Sequence, residues 1–149
     1  MTTYLSFTEA GGRLSPSVIA AGPFHDVCVI GLNARGQLVG SAVAAALGVA
    51  LDPVAILKSA AGVTTTELPD TVGRTVVVVD DGVESGTAAR AVGRAVRATG
   101  AARIVFAVPV CPAELVDELE GIYDSVIVLH VCRDGLPLAG HYLDFDLLS

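Results

Sequence analysis

Val76-Val77-Val78-Val79-Asp80-Asp81-Gly82-Val83-Glu84-Ser85-Gly86-Thr87 carries more structural information than any other stretch of this chain. The valines do not alternate with polar residues, so they predict a strand buried on both faces, as in the interior of a parallel sheet. The strand ends in two carboxylates, turns through small residues, and passes at once into a helical pattern over residues 87–99. That pattern places Ala88, Ala91, Val92, Ala95 and Val96 on one face and Arg90, Arg94 and Arg97 on the other, and Gly100 stops it.

The neighbouring segments repeat the alternation of strand and helix. Residues 27–30, 104–108 and 126–129 are short β-branched runs of the same kind, and 53–57 is a weaker candidate. Residues 36–47 are apolar almost all round and end at Gly48; Pro112 opens a further helix that Gly121 closes. Residues 7–20 read as a weak helix interrupted by Gly11, Gly12 and Pro16, and 59–74, with three consecutive threonines, as a mobile loop. The expected fold is α/β and doubly wound: a mostly parallel sheet of about five strands flanked by helices, with a small hood from the chain ends. The tail, residues 131–149, is expected to fold back as that hood or as an edge strand.

Composition narrows the function classes. The 149 residues suit one ordinary domain. With 52% hydrophobic and only 17% charged residues, part of the surface is expected to be covered by a second copy, in a homodimer or larger homo-oligomer. A formal charge of −7 opposes attraction to nucleic acid or anionic lipid, so neither is an expected partner. Residues 38–51 are the nearest approach to a membrane span and fall short of the roughly twenty residues required. Cys28, Cys111 and Cys132 lack metal-ligand spacing and read as buried free thiols, and no signal peptide is evident at the N-terminus. A cytoplasmic location is expected.

The end of a parallel strand is where an open α/β sheet binds ligands. Asp80 and Asp81 are predicted there, beside a turn whose small residues let backbone N–H groups point inward and a helix whose positive end faces the same spot. Such a cradle beside paired acids suits a phosphorylated sugar: amides for the phosphate, carboxylates for the hydroxyls. Acid pairs at strand ends also occur in receiver domains and magnesium-dependent hydrolases, and glycine-rich turns before helices in many nucleotide-binding folds. The residue types alone therefore leave the ligand open.

The stretch VVVVDDGVESGTA resembles the motif of type I phosphoribosyltransferases that binds phosphoribosyl pyrophosphate (PRPP). The resemblance implies that Asp80 and Asp81 face the ribose hydroxyls, directly or through Mg²⁺, and that Val83, Glu84, Ser85, Gly86 and Thr87 wrap the 5-phosphate. Glu84 departs from the threonine or alanine common in the family. An aspartate at this position faces the base in hypoxanthine-type enzymes, which implies a general-base role for Glu84; a solvated loop acid is the other reading. Val29-Ile30-Gly31-Leu32-Asn33-Ala34-Arg35-Gly36 is similar to the family's pyrophosphate loop, which assigns Asn33, Ala34, Arg35 and Gly36 to the diphosphate, and Lys58 matches a basic residue after the next strand.

The resemblance spans residues 7–145 and implies transfer of a 5-phosphoribosyl group from PRPP to a nucleobase or related heterocycle, with release of pyrophosphate. Two features depart from it. Residues 59–74 contain Glu67, Asp70 and, as their one cation, Arg74, whereas orotate-type enzymes bring a catalytic lysine from this segment. The hood sequence Gly140-His141-Tyr142-Leu143-Asp144-Phe145 names no acceptor, with His141 a candidate contact. His25 and His130 form no metal cluster with the cysteines. A protein that binds PRPP or a nucleotide for regulation without transferring it, or a subunit with a vestigial site, are the alternatives.

Overall fold

The computed structural model describes residues 3–133 and 137–143. Strands β1 (Val27–Leu32), β2 (Leu51–Val54), β5 (Thr75–Val79), β6 (Arg103–Pro112) and β7 (Ser125–Cys132) form one sheet in the order β2-β1-β5-β6-β7, and β3 (Ile56–Ser59) pairs with β4 (Gly62–Thr65) as a separate antiparallel hairpin. Every neighbouring pair of the larger sheet is parallel, with Val29 facing Leu51 on one side and Val77 on the other.

Parallel pairing needs crossovers, and the helices supply them. Helices α1 (Phe7–Ala21) and α2 (Asn33–Leu47) cover one face of the sheet, and α3 (Thr87–Ala98) and α4 (Ala113–Glu120) the other. The two-residue period of a strand sorts the core between them: Val77 and Val79 pack toward α1 and α2, Val76 and Val78 toward α3 and α4. All four valines are fully buried, as the uninterrupted apolar run requires. The chain winds outward from β1 through α2 to β2, then crosses to β5 and winds the other way through β6 and β7. The reversal lies between β1 and β5, so the loops leaving their carboxyl ends diverge and open a crevice.

The expected doubly wound α/β sheet of five strands is present, and several local expectations are corrected. Residues 53–57 do not form one strand; β2 ends at Val54 and the chain starts again as β3 in the hairpin. Residues 59–74 are not simply a loop, since their first part completes that hairpin, with Lys58 opposite Val63 and Ser59 opposite Gly62. Both hairpin strands are short and largely exposed, so no core periodicity marks them. Pro112 closes β6 as the residue before α4 rather than opening the helix.

Helix α1 is continuous over Phe7–Ala21 despite Gly11, Gly12 and Pro16. A capping arrangement at its start compensates: the Ser6 hydroxyl accepts from the Glu9 amide at 3.1 Å, and the Glu9 carboxylate accepts from the Leu5 amide at 3.3 Å. Gly11 serves packing, because a Cβ there would overlap the Val39 carbonyl oxygen and lie 2.9 Å from Ala42 Cβ. α1 thereby sits directly on α2.

The three cysteines are free and buried, and burial pushes the Cys28 and Cys111 thiols up to about 12. Among the described residues no helix is long and apolar enough to cross a membrane. Replacing Gly11 by Ala is expected to destabilise the fold by about 1–3 kcal/mol through overpacking at the α1–α2 contact. Urea unfolding followed by circular dichroism measures it, and an unchanged midpoint would contradict the close contact.

Candidate functional site

Strand β5 delivers Asp80 and Asp81 to the crevice between β1 and β5. The turn is folded by its own side chains: the Asp81 amide donates to Asp80 Oδ1 at 2.8 Å. Asp80 presses against the start of α2, where a Cβ on Gly36 would stand 3.0 Å from Asp80 Oδ1 and 3.1 Å from Asp80 Cα. Gly36 is thus required for this approach. Gly36 lies against Asp80, next to Arg35 on the cleft wall.

Two adjacent acids, Asp81 buried and Asp80 half-buried, cannot both ionise cheaply. Burial, then the neighbouring Asp81 charge, holds the Asp80 carboxyl well above the usual carboxylate range. Burial also raises Asp81, opposed by a side-chain hydrogen bond from Asp80 and by the Arg35 guanidinium. Asp80 is therefore the member of the pair that keeps its proton longer.

The following turn brings small residues and hydroxyls to the cleft. Gly86 adopts a left-handed conformation (φ 82°) that starts α3 with no side-chain cap from the N-cap residue itself, and Thr87, Ala88 and Ala89 of the first turn line the cleft. The Ser85 and Thr87 hydroxyls lie 3.1 Å apart, and the Thr87 amide donates to Ser85 Oγ at 3.4 Å. Arg90 braces the turn from one helical step on, donating to the Ser85 carbonyl at 3.3 Å while paired with Glu118 at 2.8 Å. The amphipathic pattern of α3 assigns Arg90 only to a solvated face, and its reach back to Ser85 carries no sequence signal.

Opposite the cradle, the loop after β1 contributes Asn33, Ala34 and Arg35, and the hairpin contributes Lys58. Together with residues 80–89, Leu32 and Leu138 they line one cleft of ≈ 670 Å³. The expected loop at 33–36 is the first turn of α2. Asn33, at φ 56°, uses its side-chain oxygen to accept from the Ile56 amide at 2.9 Å, which fixes the base of the hairpin and so the placement of Lys58. The Arg35 guanidinium lies over the Phe7 ring, 5.9 Å from its centre.

The family model described as the phosphoribosyl transferase domain matches residues 3–132. The chain belongs to the phosphoribosyl transferase domain family. Its five-stranded parallel sheet flanked by helices is that of a phosphoribosyltransferase-type fold, and solved structures agree on the fold. A crystal structure of a Thermus thermophilus protein superposes with a TM-score of 0.85 at 24% identity, over 99% of this chain and 94% of that one. A purine phosphoribosyltransferase from Pyrococcus horikoshii superposes with a TM-score of 0.62 at 21% identity, over 82% of this chain and 80% of that one. A Mycobacterium tuberculosis protein provisionally named a phosphoribosyl transferase is 42% identical over 57 residues, which are 38% of this chain and 13% of that protein. The matched segment is thus a small part of that relative's length.

A second cleft of ≈ 450 Å³ adjoins the first and shares Val83, Glu84 and Leu138 with it; Pro112, Glu114, Cys132, Arg133 and Pro137 complete its lining. Glu84, exposed in the turn, thus borders both clefts. His141, named above as a candidate contact, is fully buried, with its ring 5.4 Å from that of His130, and lines neither cleft. Asp144 and Phe145 of the hood sequence lie outside the described residues. Among the described residues no group of three or more His, Cys, Asp or Glu could by itself hold a metal ion.

The raised Asp80 carboxyl fixes the sign of a stability effect. A carboxyl whose folded value lies above its unfolded one stabilises the fold at acid pH and loses that contribution as pH rises through the folded value. Asp80→Asn is therefore expected to raise the melting temperature at pH 7–8 and to lose this advantage at pH 3–4. Calorimetric melting across that range measures the trend, and the opposite slope would refute the buried-pair description.

Proposed function

We propose that this chain binds PRPP across the cleft between β1 and β5 and transfers its 5-phosphoribosyl group to a ring nitrogen of a nucleobase or related heterocycle, releasing pyrophosphate. The observation that carries this reading is the convergence, in one cleft of a phosphoribosyl transferase domain, of an acid pair, an uncapped helix N-terminus and two cations from a different loop and hairpin.

Each part has a share of the substrate. The turn Val83–Thr87 and the start of α3 take the 5-phosphate, since amides and the helix dipole favour an anion where the chain's net charge of −7 does not. Arg35 and Lys58 take the diphosphate and neutralise it as it departs. Asp80 and Asp81 accept hydrogen bonds from the ribose hydroxyls and balance the positive charge that develops at C1. In the reaction the C1–O bond to pyrophosphate breaks, a C1–N bond to the acceptor forms, and the acceptor's proton passes to a base. Glu84 borders both clefts, which supports its taking that proton from an acceptor in the smaller one.

Mg²⁺ fits this donor set. Two carboxylates at hand, with no fuller cage among the described residues, suit a hard cation that keeps waters and shares ligands with a diphosphate. When bound it would neutralise diphosphate charge and offset the repulsion between Asp80 and Asp81.

One observation favours a second reading, a PRPP- or nucleotide-binding regulatory protein without transfer. The one cation of residues 59–74, Arg74, donates to the carbonyls of Asp26, Val27 and Asp70, at the amino ends of the strands and so at the sheet edge opposite the cleft. That segment brings no cation to the reacting diphosphate.

Calorimetry with PRPP and Mg²⁺ tests the site. Binding is expected for the wild type, and joint replacement of Asp80 and Asp81 by Asn should weaken it at least about tenfold without lowering the melting temperature; equal affinity would remove the site assignment. Pyrophosphate release over a panel of purines, pyrimidines and related heterocycles separates the two readings, because the regulatory protein would bind and release none. Arg35→Ala should weaken pyrophosphate more than ribose 5-phosphate. Equal weakening of both would overturn the division of the cleft between its loops.

A further inference from the structure

Tyr142 follows the short 3-10 helix Leu138–His141 and is 5% exposed. Its hydroxyl donates to the backbone carbonyl of Asp81 at 2.7 Å, a contact between residues 61 positions apart. Leu138 seats on the next residue of the turn, where a Cβ on Gly82 would overlap Leu138 Cδ1. From the sheet side the Val83 amide donates to the Val110 carbonyl at 3.1 Å. The turn bearing both acids is therefore held between the sheet and the returning tail.

The tail is itself anchored. The Tyr4 amide donates to the His141 carbonyl at 2.8 Å and the Leu143 amide to the Tyr4 carbonyl at 2.9 Å, so both ends of the described chain close over the site together. The Tyr142 ring packs 4.5 Å from that of Phe7 and 5.4 Å from that of Tyr4. Phe7 in turn carries the Arg35 guanidinium on its ring. One aromatic stack thus supports the acid turn through a hydroxyl and the diphosphate loop through a ring face.

A phenylalanine would fill the same space and stack on the same rings, so packing alone does not call for a hydroxyl here. What the hydroxyl adds is a directed bond to one peptide. We propose that Tyr142 is a positioning residue, whose hydroxyl fixes the Asp81–Gly82 peptide so that the carboxylates of Asp80 and Asp81 keep the orientation in which they address a sugar. The proposal rests on the PRPP reading of the cleft and adds to it a residue of the hood that touches neither substrate nor metal. A peptide released from this bond can rotate, and a misplaced carboxylate loses hydrogen-bond energy steeply with angle and distance.

The test compares ribose 5-phosphate and pyrophosphate binding by calorimetry in the presence of Mg²⁺, for the wild type, Tyr142→Phe and Tyr4→Phe. Tyr4→Phe is the matched control: it removes another buried phenol from the same stack, one that donates to the Pro109 carbonyl at 3.2 Å and not to the acid turn. Tyr142→Phe is expected to weaken ribose 5-phosphate about tenfold and leave pyrophosphate unchanged, while Tyr4→Phe changes neither affinity although it lowers the melting temperature similarly. Unchanged ribose 5-phosphate affinity in Tyr142→Phe overturns the proposal. So does parallel weakening of both ligands in both variants, which would mean general loosening. Should Tyr142→Phe fail to fold, Leu138→Ala, which frees Gly82, is read by the same criteria. A wild type that binds neither ligand sinks the cleft reading and this proposal with it, whereas a wild type that binds both with indifferent variants sinks this proposal alone.

Discussion

Two neighbouring carboxyl groups, one buried and one half-buried, at the end of a strand are the constraint around which this molecule is arranged. Asp80 and Asp81 follow four valines that are fully buried, so the chain has no freedom to swing them into water. Their mutual repulsion and desolvation are tolerated because the surroundings distribute the cost. Asp80 keeps its proton longer, Arg35 lowers Asp81, and the Asp81 amide donates to its neighbour. A site that disfavours its own charge is poised to gain from a ligand that brings hydroxyl donors or a cation, and active sites commonly hold such destabilised groups.

That constraint explains why the parallel order matters. Arg35 belongs to the first turn of α2, directly after β1, and the acids to the turn after β5, with the rest of α2, β2, the hairpin and a long connection between them in sequence. Only adjacency of β1 and β5 in the sheet, with the winding reversed between them, brings the two loops to one crevice. Gly36 then allows α2 to begin against Asp80, and Asn33 ties the hairpin to the same helix start. Cation, anion cradle and acid pair are thereby assembled from elements that share no local sequence.

A chain with a net charge of −7 cannot attract a phosphorylated ligand by its overall field. Attraction has to come from the short-range geometry: first-turn amides of α3, the braced Ser85 turn, and two cations on the far wall. On the PRPP reading proposed above, this division would place selectivity for phosphate in backbone atoms, where substitution changes little, and leave the side chains of the second cleft to decide what else enters.

Elements with strong local signatures are legible in the chain before it folds. The valine run, the acid turn and the arginine-striped helix after it can be read because an all-apolar run and a 3.6-residue period are properties of contiguous residues. The doubly wound fold follows from repetition of that pattern, and Asp80 through Thr87 with Arg35 and Lys58 do meet in one cleft. The hairpin escapes such a reading because its short exposed strands bury too little to leave a pattern, and the continuity of α1 escapes it because Gly11 reads as a breaker until α2 is seen against it. Other features exist only once distant segments have met: Gly36 underlies Asp80, Asn33 holds the hairpin, Arg90 pairs with Glu118, His141 is core, and Tyr142 reaches the Asp81 carbonyl. Most of these contacts join side chains to distant backbone, and no periodicity in a chain encodes which carbonyl or amide a folded neighbour will bring within about 3 Å.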